Sequence, residues 1–284
     1  MEEEKEIFGR MALGLTAMYG VYRVFQFAIR RQMAEPSLGL QMLLAFVLYG
    51  VGFFLLLRIA GPKAVKGRVQ AARMRPDAFV RILLLQMFSM VIHLLLIQFE
   101  TLVLHSTSPA PPISFDNPWS FFMLLFLTPL FEELAFRIIP GDRLLPEQKN
   151  FYVLASALLF GLAHWPTAGW KTVIVTFYLG LIWANVYAQT RSLPIVVVLH
   201  ILYNLLSGGI TTLLGGISPV VQILYIFALL FLSIIGVLLT VRQWRKRRMS
   251  FSLPQKKSWR IIFQTKGFWL YIAMLVLSRF LLER

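Results

Sequence analysis

The sequence predicts an all-α, polytopic integral membrane protein, with eight or nine transmembrane helices around a polar intramembrane cavity. Three observations lead there. Of 284 residues, 58% are hydrophobic and 14% charged, with a mean hydropathy of +0.70, whereas soluble domains run at about half apolar and a quarter charged. The apolar residues fall in runs close to the roughly 20 needed to cross a hydrocarbon core. The positive charge behind a net of +15 is gathered mainly in two blocks between such runs.

In a soluble chain that charge would suggest nucleic acid. Between apolar runs it reads as topogenic lysine and arginine beside anionic lipid, so no nucleic-acid partner is expected. There is no cysteine, which excludes a disulfide framework, a thiolate metal site and a cysteine nucleophile. The acidic start, Met1 to Glu6, has no cleavable signal pattern and should lead straight into the first span.

The spans are justified in order from the apolar runs. Residues 8–29 form the weakest, interrupted by Arg23 and Gln26, with an interfacial position as the alternative. Residues 38–59 and 79–104 are clear, and 119–139 contains Glu132 and Glu133. Runs 151–165, 172–188 and 193–206 follow at short loops, then a plain run at 220–241 and a short one at 268–282. Gly208, Gly209, Gly215 and Gly216 make 207–219 a flexible outer loop or re-entrant piece.

Loop charge gives the orientation. Segment 58–81 holds Arg58, Lys63, Lys66, Arg68, Arg73, Arg75 and Arg81, and segment 242–266 holds a second set that includes Arg245, Lys246, Arg247 and Arg248. Loops 105–117 and 207–219 hold no lysine or arginine. The basic segments belong inside and the uncharged loops outside, although a crossing first span would leave Arg30 and Arg31 on the outer side. Three regions result: 1–118, N-terminal helices with a basic loop; 119–206, a core with the chemistry; and 207–284, C-terminal helices with the second basic loop.

An ionised carboxylate at bilayer depth costs about 2.5–3.5 kcal/mol on insertion scales, so two adjacent ones call for a functional reason. Glu133 and Arg137 are four apart and share a helix face, where they can pair. Glu132 is turned about 100° away and left free for another task. The chain has four histidines. His164 lies four residues after Phe160, and His200 four before Asn204, each pair on one face. A lone membrane histidine is more often a helix–helix hydrogen-bond partner than a catalyst, but this ordered set has no common structural use. Gln86, Ser89 and His93, with Glu100 on the same stripe, and Asn185 read as interhelical hydrogen bonding. His105 reads as a solvated loop residue. There is no Gly-x-Ser-Gly motif, and the aspartates (Asp77, Asp116, Asp142) lie in loops or at span ends.

Glu132-Glu133-x-x-x-Arg137, Phe160-x-x-x-His164 and His200-x-x-x-Asn204 resemble the three motifs of the CAAX-protease and bacteriocin-processing family. These are intramembrane peptidases that include type II CAAX prenyl endopeptidases. The resemblance covers about 119–206. It implies hydrolysis of a peptide bond in a membrane-associated peptide or protein, with Glu132 as general base beside His164, and His200 and Asn204 as oxyanion donors. Glu133 and Arg137 would support the base, with Phe160 beside them. Two carboxylates and two histidines are ordinary zinc ligands, so a Zn²⁺ held through Glu132, His164 and His200 stays open beside metal-free water activation. No His-Glu-x-x-His pair is present. Access is expected from the cytoplasmic half, in a bacterial plasma membrane. The alternative from another class is a non-catalytic scaffold, or a proton-coupled carrier using the same buried polar groups.

Overall fold

In lipid a helix satisfies every backbone group within its own segment, and helix is what so apolar a chain forms. The computed structural model describes residues 2–30, 37–62, 72–106, 118–145, 147–246, 251–252 and 255–283; it is 91% helical, with no strand among them. The described helices are α1 (Glu2–Arg30), α2 (Leu38–Ala60), α3 (Pro76–Val103), α4 (118–144), α5 (Lys149–Ala163), α6 (Trp165–Thr190), α7 (Leu193–Ile217), α8 (Pro219–Arg245), α9 (Lys256–Gln264) and α10 (Lys266–Glu283).

Five of them, α2, α3, α6, α7 and α8, are long and apolar enough to cross a membrane. The α9–α10 pair, bent by 71°, makes a sixth if taken as one span. The eight or nine expected spans are thus not all matched by long apolar helices, for visible reasons. Helix α1 carries four glutamates with Arg10 and Arg23. The apolar run of α4 is interrupted by Glu132, Glu133 and Arg137. Helix α5 has 15 residues, about 22 Å at 1.5 Å per residue against a hydrocarbon core of about 30 Å. It is also the most sheltered helix: every residue from Phe151 to Ala157 is buried.

Several boundaries differ from the sequence reading. The glycine-rich stretch 207–219 is no loop: α7 continues through a π-helical turn, Leu205–Gly209, to Ile217. Only Ser218, in extended conformation, separates it from Pro219 at the start of α8. Helices α5 and α6 meet at His164 with no loop, and the chain turns at Gly169, whose φ of 75° suits glycine. These two helices pack very closely; a Cβ added at Gly180 would lie 2.8 Å from the Ala157 Cα. Helix α9 had no counterpart in the apolar runs because it is short and amphipathic. Lys63, Lys66, Arg68, Arg31, Arg247 and Arg248, and the Pro-rich part of the 105–117 loop, lie outside the described residues.

Cross-links show which helix ends lie together. Arg143 Nε donates to the Ala60 carbonyl at 3.1 Å and its Nη2 donates to that of Gly61. The Ala72 N–H donates to Gln189 O. Asn185 holds Ser252 by accepting its N–H at 2.8 Å. The first turn of α1, 60–62, 72–76, 139–145, 185–192 and 251–266 therefore share one end of the bundle, which adjoins both basic segments. The starts of α2 and α4 and the turn after His164 lie at the other.

Candidate active site

Helix α4 presents the glutamates between two π-helical turns, Met123–Leu127 and Leu134–Ile138. Such turns accommodate an extra residue, loosen the carbonyl ladder and recur at functional sites. The second turn carries Arg137, whose Nε lies 3.1 Å from Glu133 Oε2, both side chains fully buried. Ser156 of α5 accepts a hydrogen bond from Arg137 Nη1 at 3.1 Å and donates to the Phe136 carbonyl at 2.6 Å. The guanidinium also lies over the Phe160 ring, 4.7 Å from its centroid, a stabilising cation–π position.

Glu133 then reaches the third motif: its Oε1 is 3.0 Å from His200 Nδ1. A carboxylate only accepts, so this fixes a proton on Nδ1 and turns Nε2 toward Glu132, 3.7 Å from its Oε2. His164 is held in the same manner. Its Nδ1 lies 2.9 Å from the Phe160 carbonyl, which only accepts, and its Nε2 faces Glu132 Oε1 at 3.9 Å. Glu132 thus stands between two imidazoles, each tethered from behind. Both separations exceed a direct hydrogen bond and are gaps that a water can bridge. Glu132 and His164 keep 15% and 24% of their side-chain surface exposed, while Glu133 and Arg137 keep none. Water can reach the first pair and not the second.

Phe160 packs edge-on against both histidine rings, at 4.8 and 6.1 Å between centroids. Asn204 braces α4. Its Nδ2 donates to the Leu124 carbonyl in the first π turn at 2.9 Å, so one amide hydrogen is committed to the wall of α4. The zinc reading fares less well: among the described residues no three His, Asp or Glu side chains are gathered closely enough to hold a metal ion. Glu132, His164 and His200 do not form that ligand set.

The motifs pointed to neither Ser156 nor Trp183. Trp183 stacks on His200 at 4.2 Å and donates its indole N–H to Gln86 Oε1 at 2.9 Å. Gln86 in turn donates to the Leu199 carbonyl at 3.0 Å. The polar stripe of α3 is thus a brace for the His200 ring, and Ser89 continues it by donating to the Tyr203 hydroxyl. Farther along, Glu100 pairs with buried Lys171.

The site also sits deeper than span ends at Ile139 and Phe151 suggest. Helix α4 continues to Leu144, which places Glu132 about 18 Å from that end. His164 is about 22 Å from the start of α5 at Lys149. The two depths agree, whereas an end at Ile139 set them about 10 Å apart.

A cavity of about 490 Å³ lies beside α4, lined by Tyr22 and Gln26 of α1, Gln41 and Tyr49 of α2, and Ser120 and Thr128 of α4 among others. Thr128, bonded to the Tyr49 hydroxyl at 2.9 Å, is one turn from Glu132 on the same face. The lining residues come from the end of α1 and the starts of α2 and α4, so the cavity lies toward the end of the bundle opposite the basic segments.

No curated protein and no solved structure matches the chain. One protein-family model does match. The chain is a multi-pass integral membrane protein whose residues 114–206, holding every motif side chain, match the family described as type II CAAX prenyl endopeptidase Rce1-like. Through that third of its length it is similar to the CAAX-protease and bacteriocin-processing family its motifs resemble.

Proposed function

We propose that the protein is an intramembrane endopeptidase that hydrolyses a peptide bond by activating a water between Glu132 and His164. The observation that carries this reading is Glu132 standing 3.9 and 3.7 Å from the Nε2 atoms of two imidazoles whose Nδ1 atoms are both tethered. A water in that gap donates one hydrogen to Glu132 and the other to His164 Nε2. Glu132 takes its proton as the oxygen attacks the substrate carbonyl carbon. His200, its Nδ1 held by Glu133, turns its ring toward the developing oxyanion, and the second amide hydrogen of Asn204 donates to that oxygen. Glu132 then passes its proton to the leaving amine as the C–N bond breaks. Arg137 and Phe160 keep Glu133 and the rings in place. No step passes through a metal.

The same reading assigns 119–206 as the catalytic core, flanked by helical regions 1–118 and 207–284. Helices α1, α4 and α5 complete eight spans, and the bent α9–α10 pair makes nine. A bacterial plasma membrane suits the basic segments. The substrate is a membrane-associated peptide or the tail of a membrane protein, with no requirement for a prenyl group.

The test compares the peptides produced by cells carrying the wild-type protein or Glu132→Gln at equal abundance. A defined set of cleavage products should vanish in the variant. Identical peptide sets would sink the proposal, and loss of pH-dependent flux without loss of products would favour a carrier.

A further inference from the structure

The 490 Å³ cavity is built largely from helices outside the family match. Tyr22 and Gln26 come from α1, and Gln41, Leu44, Leu48 and Tyr49 from α2, while the matched segment supplies one wall. The volume lies in the range of ligand-binding pockets, about 300–1,000 Å³. Its chemistry is specific. Among the described residues no charged side chain lines it, yet it carries carboxamides at Gln26 and Gln41 and hydroxyls at Tyr22, Tyr49, Ser120 and Thr128. Arg23, one turn before Gln26, donates to its carbonyl oxygen at 2.6 Å, which commits that oxygen and leaves the Gln26 NH₂ as donor. Uncharged donors and acceptors distributed along a groove suit backbone amides, whose polar groups need partners away from water. They offer nothing to a charged side chain, which would be desolvated without a counter-ion.

The α4 wall runs along the helix toward Glu132, which lies one turn beyond the last lining residue. Leu124 and Thr128 line it, and Glu132 is the next residue on that face. The Leu124 carbonyl, in the π turn, is held by Asn204, so the third motif also shapes this wall.

We infer that this cleft is the substrate channel: it takes an extended, uncharged peptide segment that enters at the bundle end opposite the basic segments and runs along α4 to Glu132. The inference rests on the peptidase reading and adds the substrate class and the direction of approach. Ser120 at the mouth and Glu132 are twelve helical residues apart, about 18 Å. An extended chain covers that distance in about five or six residues at roughly 3.3 Å each. The cut therefore falls about five or six residues into the segment that enters, and those residues are neutral.

The test uses the full chain in native membranes and reads the cleavage products that Glu132→Gln abolishes. Gln41→Arg, which places a charge in the mouth, should lower their release at least tenfold, while Gly216→Arg, the same charge at an exposed position outside the cleft where an added Cβ meets nothing within 4 Å, retains it. In a second arm a benzophenone amino acid replaces Gln41 in the Glu132→Gln protein; on irradiation it should trap uncut peptides that contain the sequences of those products. Products lost in Glu132→Gln but undiminished in Gln41→Arg, with none trapped at position 41, overturn the channel and leave the peptidase reading standing. If Glu132→Gln changes no product, the peptidase reading falls and the channel with it. Should Gln41→Arg fail to accumulate, the trapping arm decides alone.

Discussion

Neither Arg137 nor Glu133 touches solvent, so each is tolerable only because of the other. Removing one partner of a buried pair strands the second charge and typically costs 3–5 kcal/mol. Arg137→Ala should therefore lower thermal stability in detergent well beyond the effect of an exposed Arg→Ala such as Arg260→Ala. Arg137→Lys should restore only part of it, because a lysine lacks the planar fork that meets Glu133 and Ser156 together while lying over Phe160. His164→Ala should leave stability nearly intact and reduce turnover by about 10²–10⁴, the usual worth of general acid–base assistance. Trp183→Phe keeps an aromatic face against His200 but leaves Gln86 Oε1 without its donor. It should cost about 1–3 kcal/mol, read as a lower unfolding temperature, and lower kcat more than it raises KM. The four-residue spacing of Glu133 and Arg137 was legible in the sequence, as were the motif histidines. Trp183 and Ser156 were not, since their roles come from contacts between helices distant in sequence, and no local pattern marks a tryptophan that will lie on a particular ring.

At the level of the element, the apolar runs placed most helix centres and misjudged several ends. Glycines misled at 207–219, where the helix continues because packing against α8 outweighs poor intrinsic propensity; Gln222 donates to the Thr211 carbonyl and Tyr225 to that of Leu206 across this pair. The opposite error hid the join of α5 and α6, because a single glycine with positive φ suffices to turn the chain. The close approach of these helices fixes where His164 sits. Gly180→Val would drive a branched side chain into the Ala157 backbone, and overpacking of this kind typically costs 1–3 kcal/mol. The expected outcome is a lower unfolding temperature together with a larger loss of turnover than equal destabilisation elsewhere produces, because His164 shifts away from Glu132. Comparison with Gly216→Val, where an added Cβ meets nothing within 4 Å, checks it.

For the whole molecule the decisive question is which way the cleft faces. The wild-type chain has no cysteine, so single cysteines report sidedness without background. With the basic segments inside, Arg75→Cys should react with an impermeant maleimide only in inverted vesicles, and Ser120→Cys only in intact cells. The reverse pattern would turn the orientation over without moving a single contact in the site. Loop charge supplies the expected orientation from the sequence, but it could not reveal the cleft, which needs three helices brought side by side.

The sheltering of α5 carries a consequence for how the protein meets different bilayers. A helix of 15 residues would suffer from thickness mismatch if acyl chains lapped against it, and mismatch drives tilting and kinking. Surrounded instead by protein, α5 has little lipid to match, and its position is set by α1, α4, α6, α9 and α10. Reconstitution across phosphatidylcholines of 14 to 22 carbons should therefore leave the turnover of a short water-soluble peptide nearly flat. The long outer helices, by contrast, will tilt to follow the acyl-chain length, carrying a rigid reaction chamber within them like a gimballed instrument.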